Sequence, residues 1–152
     1  MTQRVALFMI GIFVVLASLV SLAGCNPASP SPEPQTPKLQ TVEFSNEFVT
    51  VTRTFLSPVQ AGQEITVQVK ITAKVDLRAV LLSETIPDGW QIAEGTSRAA
   101  RLGLKAGESL EHSYTVRVGN KTGTVTLTGL VTVATNQGAQ EPLEIASQIR
   151  VR

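Results

Sequence analysis

Cysteine, histidine and aspartate are almost missing from this chain of 152 residues. It has one cysteine, Cys25, one histidine, His112, and two aspartates, Asp76 and Asp88. A single cysteine excludes an internal disulfide, a redox dithiol and a cysteine-built zinc site. A Ser-His-Asp triad would have to use His112, and no Gly-x-Ser-x-Gly elbow is present to supply its nucleophile. Calcium loops need several closely spaced oxygens, and no Asp-x-Asp occurs. Aromatic residues are scarce too: five Phe, one Tyr and one Trp, with Phe8 and Phe13 inside the N-terminal apolar run. The five that remain are mostly needed in a core, which leaves few for a sugar-stacking platform. The net charge is only +1 and no basic cluster occurs, which argues against a nucleic-acid surface.

What is present begins with an apolar run. Arg4 is the one charged side chain before it, and none follows from Val5 to Gly24. A basic start, an apolar middle and small residues before a boundary mark an export signal. Twenty residues of helix would reach about 30 Å, so an uncleaved membrane anchor is the rival reading. The run ends on Leu22-Ala23-Gly24-Cys25. This tetrapeptide resembles the bacterial lipobox, in which leucine and two small residues precede the cysteine. The resemblance implies a diacylglyceryl thioether on Cys25, cleavage after Gly24 and further acylation, palmitate included, at the new amino terminus. Each buried methylene contributes about 0.8 kcal/mol, so two or three chains hold stably where one is marginal. The expected localisation is the bacterial cell envelope, lipid-anchored on the extracytoplasmic side.

The chain then divides into a signal peptide (1–24), a lipidated cysteine with a linker (25–38) and a folded domain (39–152). Prolines at 27, 30, 32, 34 and 37, interleaved with Ser and Ala, favour extended polyproline II. At about 3.1 Å per residue the linker spans roughly 40 Å. Beyond it, apolar and polar residues alternate from Glu64 to Val75, which predicts a half-buried antiparallel strand. Thr124–Thr135, Leu110–Val118 and Leu143–Val151 repeat the pattern. Val42–Phe55 is β-rich but changes parity near Ser45-Asn46-Glu47, as a bulge or a crossing between sheets would require. Asp76–Thr85 is apolar on both parities, which suits a strand covered on both sides or a bulge. Trp90–Ala93 and Arg98–Leu104 are weaker candidates. Turn residues fall between these runs, and nothing after the signal has a helical period. Seven to eight short strands at such spacing predict an all-β antiparallel sandwich, preceded by a signal helix and linker.

Two lead-ins, Ala61-Gly62-Gln63-Glu64 and Lys105-Ala106-Gly107-Glu108, each precede a strand. Between them stands Glu84-Thr85-Ile86-Pro87-Asp88-Gly89-Trp90. In that order the motifs resemble the immunoglobulin-like conserved-repeat domain of bacterial and archaeal surface proteins. The resemblance implies an immunoglobulin-like sandwich over about Val49–Val151, serving as spacer, adhesive stalk or docking module, with no shared catalytic residues.

The remaining candidates read as structural. Pro87, Asp88 and Gly89 are expected to form a turn and Trp90 to plug the core. His112 shares parity with Leu110 and Tyr114, as a partly buried, hydrogen-bonded residue would. Glu108 and Glu111 are three apart, which on a strand puts them on opposite faces and spoils a glycosidase pair. Asn120-Lys121-Thr122 reads as a turn. Arg53 and Arg78 are expected to pair with Glu64 or Glu84 at the surface, where such pairs contribute little. No catalytic residue, metal ligand or cofactor site is assigned. The expected partners are membrane lipid, through Cys25, and an unidentified envelope or surface protein, with no nucleic acid. The function expected is a non-enzymatic binding, scaffolding or adhesion module. A cell-wall or carbohydrate-docking module is the alternative.

Overall fold

The computed structural model describes residues 39–152. The expected signal helix and linker, with Leu22, Ala23, Gly24 and Cys25, fall outside the described residues.

Ten strands and no helix make up the described residues: β1 (Gln40–Ser45), β2 (Val49–Phe55), β3 (Glu64–Ala73), β4 (Leu77–Thr85), β5 (Gln91–Glu94), β6 (Arg98–Leu104), β7 (Ser109–Arg117), β8 (Gly123–Thr135), β9 (Gly138–Ala139) and β10 (Leu143–Val151). They form an immunoglobulin-like antiparallel sandwich of two sheets. Sheet I has the order β1-β2-β3-β7-β5, and sheet II the order β10-β8-β4-β6, with β9 paired to the end of β8. From β3 to β8 successive strands alternate between sheets, so each connection crosses an end of the sandwich. The strand count exceeds seven to eight because Val42–Phe55 holds two strands and β9 is only two residues long.

Alternation decides which side chains enter. In β3, Ile65, Val67, Val69 and Ile71 are at most 1% exposed, while Glu64, Gln68 and Lys70 face water. Matching sets come from Val49, Val51 and Phe55 of β2, Val80 and Leu82 of β4, Leu127, Val131 and Val133 of β8, and Ile145 and Ile149 of β10. The two inner faces interdigitate in the manner of an aligned sandwich. β3 ends at Ala73, and Val75 is 39% exposed in the turn that follows.

The parity change near Ser45 is a hairpin, neither a bulge nor a crossing. Asn46 Oδ1 accepts the N–H groups of Phe48 and Val49, each at 2.9 Å, and β1 returns alongside β2 in continuous register. An asparagine that bonds the backbone two residues on mimics a turn with its own side chain. Nor is β4 covered on both sides. Val80, Leu82 and Glu84 point inward, while Leu81 lies on the outer face, 45% exposed.

Candidate functional site

The core holds one polar cluster. Arg53 (β2) and Tyr114 (β7) come from sheet I, and Glu84 (β4) and Ser147 (β10) from sheet II. The guanidinium donates to Glu84 Oε1 from Nε at 3.0 Å and from Nη2 at 2.6 Å. Its Nη1 donates to the Leu127 carbonyl at 3.0 Å and to Ser147 Oγ at 2.7 Å. The other carboxylate oxygen of Glu84 accepts the Tyr114 hydroxyl. Arg53 also sits over the Phe44 ring, 5.9 Å from its centre. Both charged side chains are 0% exposed. Gly129 makes room for them: a Cβ there would lie 3.2 Å from Glu84 Cγ and 3.3 Å from Arg53 Nη2.

Burial pushes the Tyr114 phenol well above its ordinary range, and the charge and hydrogen bond of Glu84 push it further. The ring is therefore a neutral donor at any physiological pH. A carboxylate, a guanidinium and a phenol in one place invite a catalytic reading, but no substrate can touch them. The cluster ties the two sheets together where the chain has no cysteine pair to do so.

The outer face of sheet I is the opposite kind of surface, wet and flat. Strand register sets its polar residues in rows: Ser45, Thr50, Thr72 and Ser109; Glu43, Thr52, Lys70 and Glu111; Thr41, Thr54, Gln68 and Ser113. Hydroxyls bond across the strands, Thr41 to Thr54 at 3.2 Å, Thr66 to Thr115 at 3.2 Å and Thr72 to Ser109 at 2.9 Å. Lys70 pairs with Glu111 at 3.0 Å, so the centre of the face is close to neutral. Two shallow depressions mark it. One, of about 260 Å³, is lined by Thr52, Thr54, Gln68, Lys70 and Glu111. The other, of about 250 Å³, is lined by Thr66, Glu94, Gly95, Ser113, Tyr114 and Thr115.

Residues 59–133 match the family described as the NPCBM-associated, NEW3 domain of alpha-galactosidase. The matched stretch runs from the loop before β3 into β8, so it includes Glu84 and Tyr114 but neither Arg53 nor Ser147. Among solved structures, the chain is similar to the GAE domain of yeast GGA1, with a TM-score of 0.54 and 8% identity over 72% of this chain and 98% of that one. It is also similar to the GAE domain of GGA2p from Saccharomyces cerevisiae, with a TM-score of 0.45 and 11% identity over 76% and 98% of the two chains. At 8% identity the GGA1 likeness is one of fold alone. No curated protein matches the sequence.

Several residues named from sequence fall within the matched stretch. Pro87, Asp88, Gly89 and Trp90 form the turn that carries the chain from β4 to β5. The Trp90 N–H donates to the Pro87 carbonyl at 3.0 Å, and Gly89 takes φ 79°, a value that favours glycine. Trp90 is 7% exposed and plugs the core. Gly119 passes directly over it, where a Cβ would meet the Gly89 carbonyl at 3.0 Å. His112 is half-buried in the middle of β7; its Nε2 lies 2.7 Å from the Thr96 carbonyl, and its ring stacks on Tyr114. Glu108 and Glu111 are engaged separately: Glu108 accepts the Lys105 N–H and lies 3.6 Å from Arg101, while Glu111 pairs with Lys70. Asp76 accepts from Lys105 Nζ and the Ala106 N–H, which hold its carboxyl below the usual range. Among the described residues no group of His, Cys, Asp and Glu could hold a metal ion.

The expectation for Arg53 needs correcting. It does pair with Glu84, but in the core and not at the surface; Glu64 instead takes Arg117, at 2.8 Å. The signal was available. Val49, Val51, Arg53 and Phe55 share one parity, as do Val80, Leu82 and Glu84, and Ile145, Ser147 and Ile149.

Proposed function

We propose that this chain is a non-catalytic, carbohydrate-associated binding module, held by lipid on Cys25 at the extracytoplasmic face of a bacterial membrane. The observation that carries the reading is the polar outer face of sheet I, with its two depressions. Hydroxyls and an amide both donate and accept, as the hydroxyls of a glycan do, and Lys70 and Glu111 neutralise each other at the centre of the face. The matched family, described from a galactosidase, supports the same ligand class. Catalysis has no support in the arrangement, because the cluster of carboxylate, guanidinium and phenol is sealed in the core.

The mode of recognition follows from what the face lacks. Phe44 and Phe48 are half-buried and Phe55, Trp90 and Tyr114 buried, so no ring among the described residues is free to stack on a pyranose. Each hydrogen bond exchanged with water nets about 0.5–1.5 kcal/mol. Three or four contribute at most about 6 kcal/mol before association costs, so the affinity of one copy is a millimolar or weaker. Display of many tethered copies on a membrane raises avidity by effective concentration, and the proline-rich linker supplies the reach.

The test is a titration of isotope-labelled chain with envelope glycan fragments. Amides of Thr52, Gln68 and Ser113 should shift, and Gln68→Ala with Thr54→Val should abolish the shifts while the fold persists. His112→Ala should leave binding intact. A folded wild-type chain that binds none of a broad set of glycans would refute the sugar reading.

A further inference from the structure

We infer that the outer face of sheet II is a self-association surface, and that its occupant is a second copy of this chain. This inference is independent of the glycan reading, which uses the other sheet.

Leu102, Leu81 and Leu130 are 80%, 45% and 48% exposed, and register places all three on this one face. One row across the sheet reads Leu102, Ala79, Ala134 and Ala139, from β6 to β9. The next reads Ala100, Leu81 and Thr132. A third reads Arg98, Ser83, Leu130 and Glu144, from β6 to β10. Leucines therefore alternate with small residues, and one cation and one anion stand at opposite edges of the same row. Both are exposed, and neither makes an ion pair among the described residues.

This pattern is self-complementary. A two-fold axis parallel to the strands, midway between β4 and β8, exchanges the two edges and keeps every row in place. It sets Arg98 of each copy over Glu144 of the other, Leu102 over Ala139, Leu130 over Ser83 and Leu81 over Thr132. Each leucine meets a smaller residue, and both charges find partners. Such isologous contacts are the common way to close a homodimer, and aligned sheets pack in this geometry within about 30°.

The size of the face sets the strength. Four strands about 4.8 Å apart and three to four rows cover roughly 400–500 Å² per copy. That is below the ~800 Å² per partner of a standard stable interface, so the dimer is weak and reversible in solution. Anchoring both copies in one membrane would strengthen it through local concentration.

The test uses the full chain. Sedimentation over a range of concentrations should show reversible dimerisation that Leu102→Glu lowers at least about tenfold. Arg98→Glu and Glu144→Arg should each weaken it by a comparable factor, and the double reversal should restore it to within about threefold, since close interfacial charge pairs couple by 1.5 kcal/mol or more. Leu102→Cys with Ala139→Cys should give an intermolecular disulfide on mild oxidation. Within one copy these positions are three strands, about 14 Å, apart and cannot bridge. Each single variant, with Cys25 common to all, should form far less. A monomer at every concentration overturns the proposal, as does failure of the double reversal to rescue, or cross-linking of the singles as strong as the pair. Leu81→Glu releasing the chain from phosphatidylglycerol vesicles with dimerisation unchanged would assign the face to lipid and likewise overturn it.

Discussion

Replacing Arg53 by methionine removes the only buried cation among the described residues and leaves Glu84 in place. The carboxylate loses two hydrogen bonds from the guanidinium and keeps only the one from Tyr114. The Leu127 carbonyl and Ser147 Oγ lose their donor in the same step. Methionine fills most of the volume, so little of the effect comes from a cavity. Breaking a buried pair from one side costs about 3–5 kcal/mol, because a charge is stranded out of water. Against a typical total of 5–15 kcal/mol this is severe. At about 4 °C per kcal/mol for a domain of this size, the midpoint should fall by roughly 12–20 °C. The assay is urea and thermal unfolding followed by the fluorescence of Trp90, the chain's only tryptophan. Arg53→Met with Glu84→Leu should recover part of the loss, since no charge is then stranded, while the Tyr114 hydroxyl and Ser147 stay unpaired. A single-variant cost under about 1 kcal/mol would refute the reading, as would a double variant as unstable as the sum of its parts.

Other outcomes follow from the same packing. Gly129→Ala should cost about 1–3 kcal/mol by overpacking, since its Cβ would press on Glu84, Ile145 and Arg53; unfolding curves check this. Tyr114 is the only tyrosine, and its phenol titrates higher folded than unfolded. Its contribution is thus complete below about pH 10, the ordinary tyrosine value, and is lost as pH rises above it. Tyrosinate absorbance should therefore appear together with unfolding at alkaline pH and not as a separate earlier step. Val69→Asp puts an unpaired charge at a position 0% exposed and should abolish folding, while Lys70→Asp, next to it on the wet face, should change stability by no more than about 1 kcal/mol; circular dichroism separates the two. Cys25→Ala should accumulate an uncleaved precursor, and mass spectrometry of the wild type should find an acylated Cys25 as its first residue.

The strands were legible because period-two alternation is a local property of the chain. Over Glu64–Val75, Thr124–Thr135 and Leu143–Val151 it marked both the element and its buried face, overrunning β3 only at Lys74 and Val75. The turn at Pro87–Trp90 and the buried position of Trp90 were readable for the same reason, since proline, aspartate and glycine act on their own backbone. Parity also contained Arg53, Glu84 and Ser147 among inward-facing residues, but a charged residue in an apolar row reads as surface until its partner is known. That partner is 31 residues away for Glu84 and 94 for Ser147, and only the stacking of one sheet on the other brings them together. Alternation likewise separated an inner from an outer face on each strand without ordering the strands within a sheet. The order β10-β8-β4-β6 is set by pairings between distant segments, and it alone gathers Leu81, Leu102 and Leu130 onto one surface. Sequence determined which residues turn inward, because that depends on the pleat of each strand; tertiary structure decided which of them meet, because that depends on register across strands the chain visits far apart.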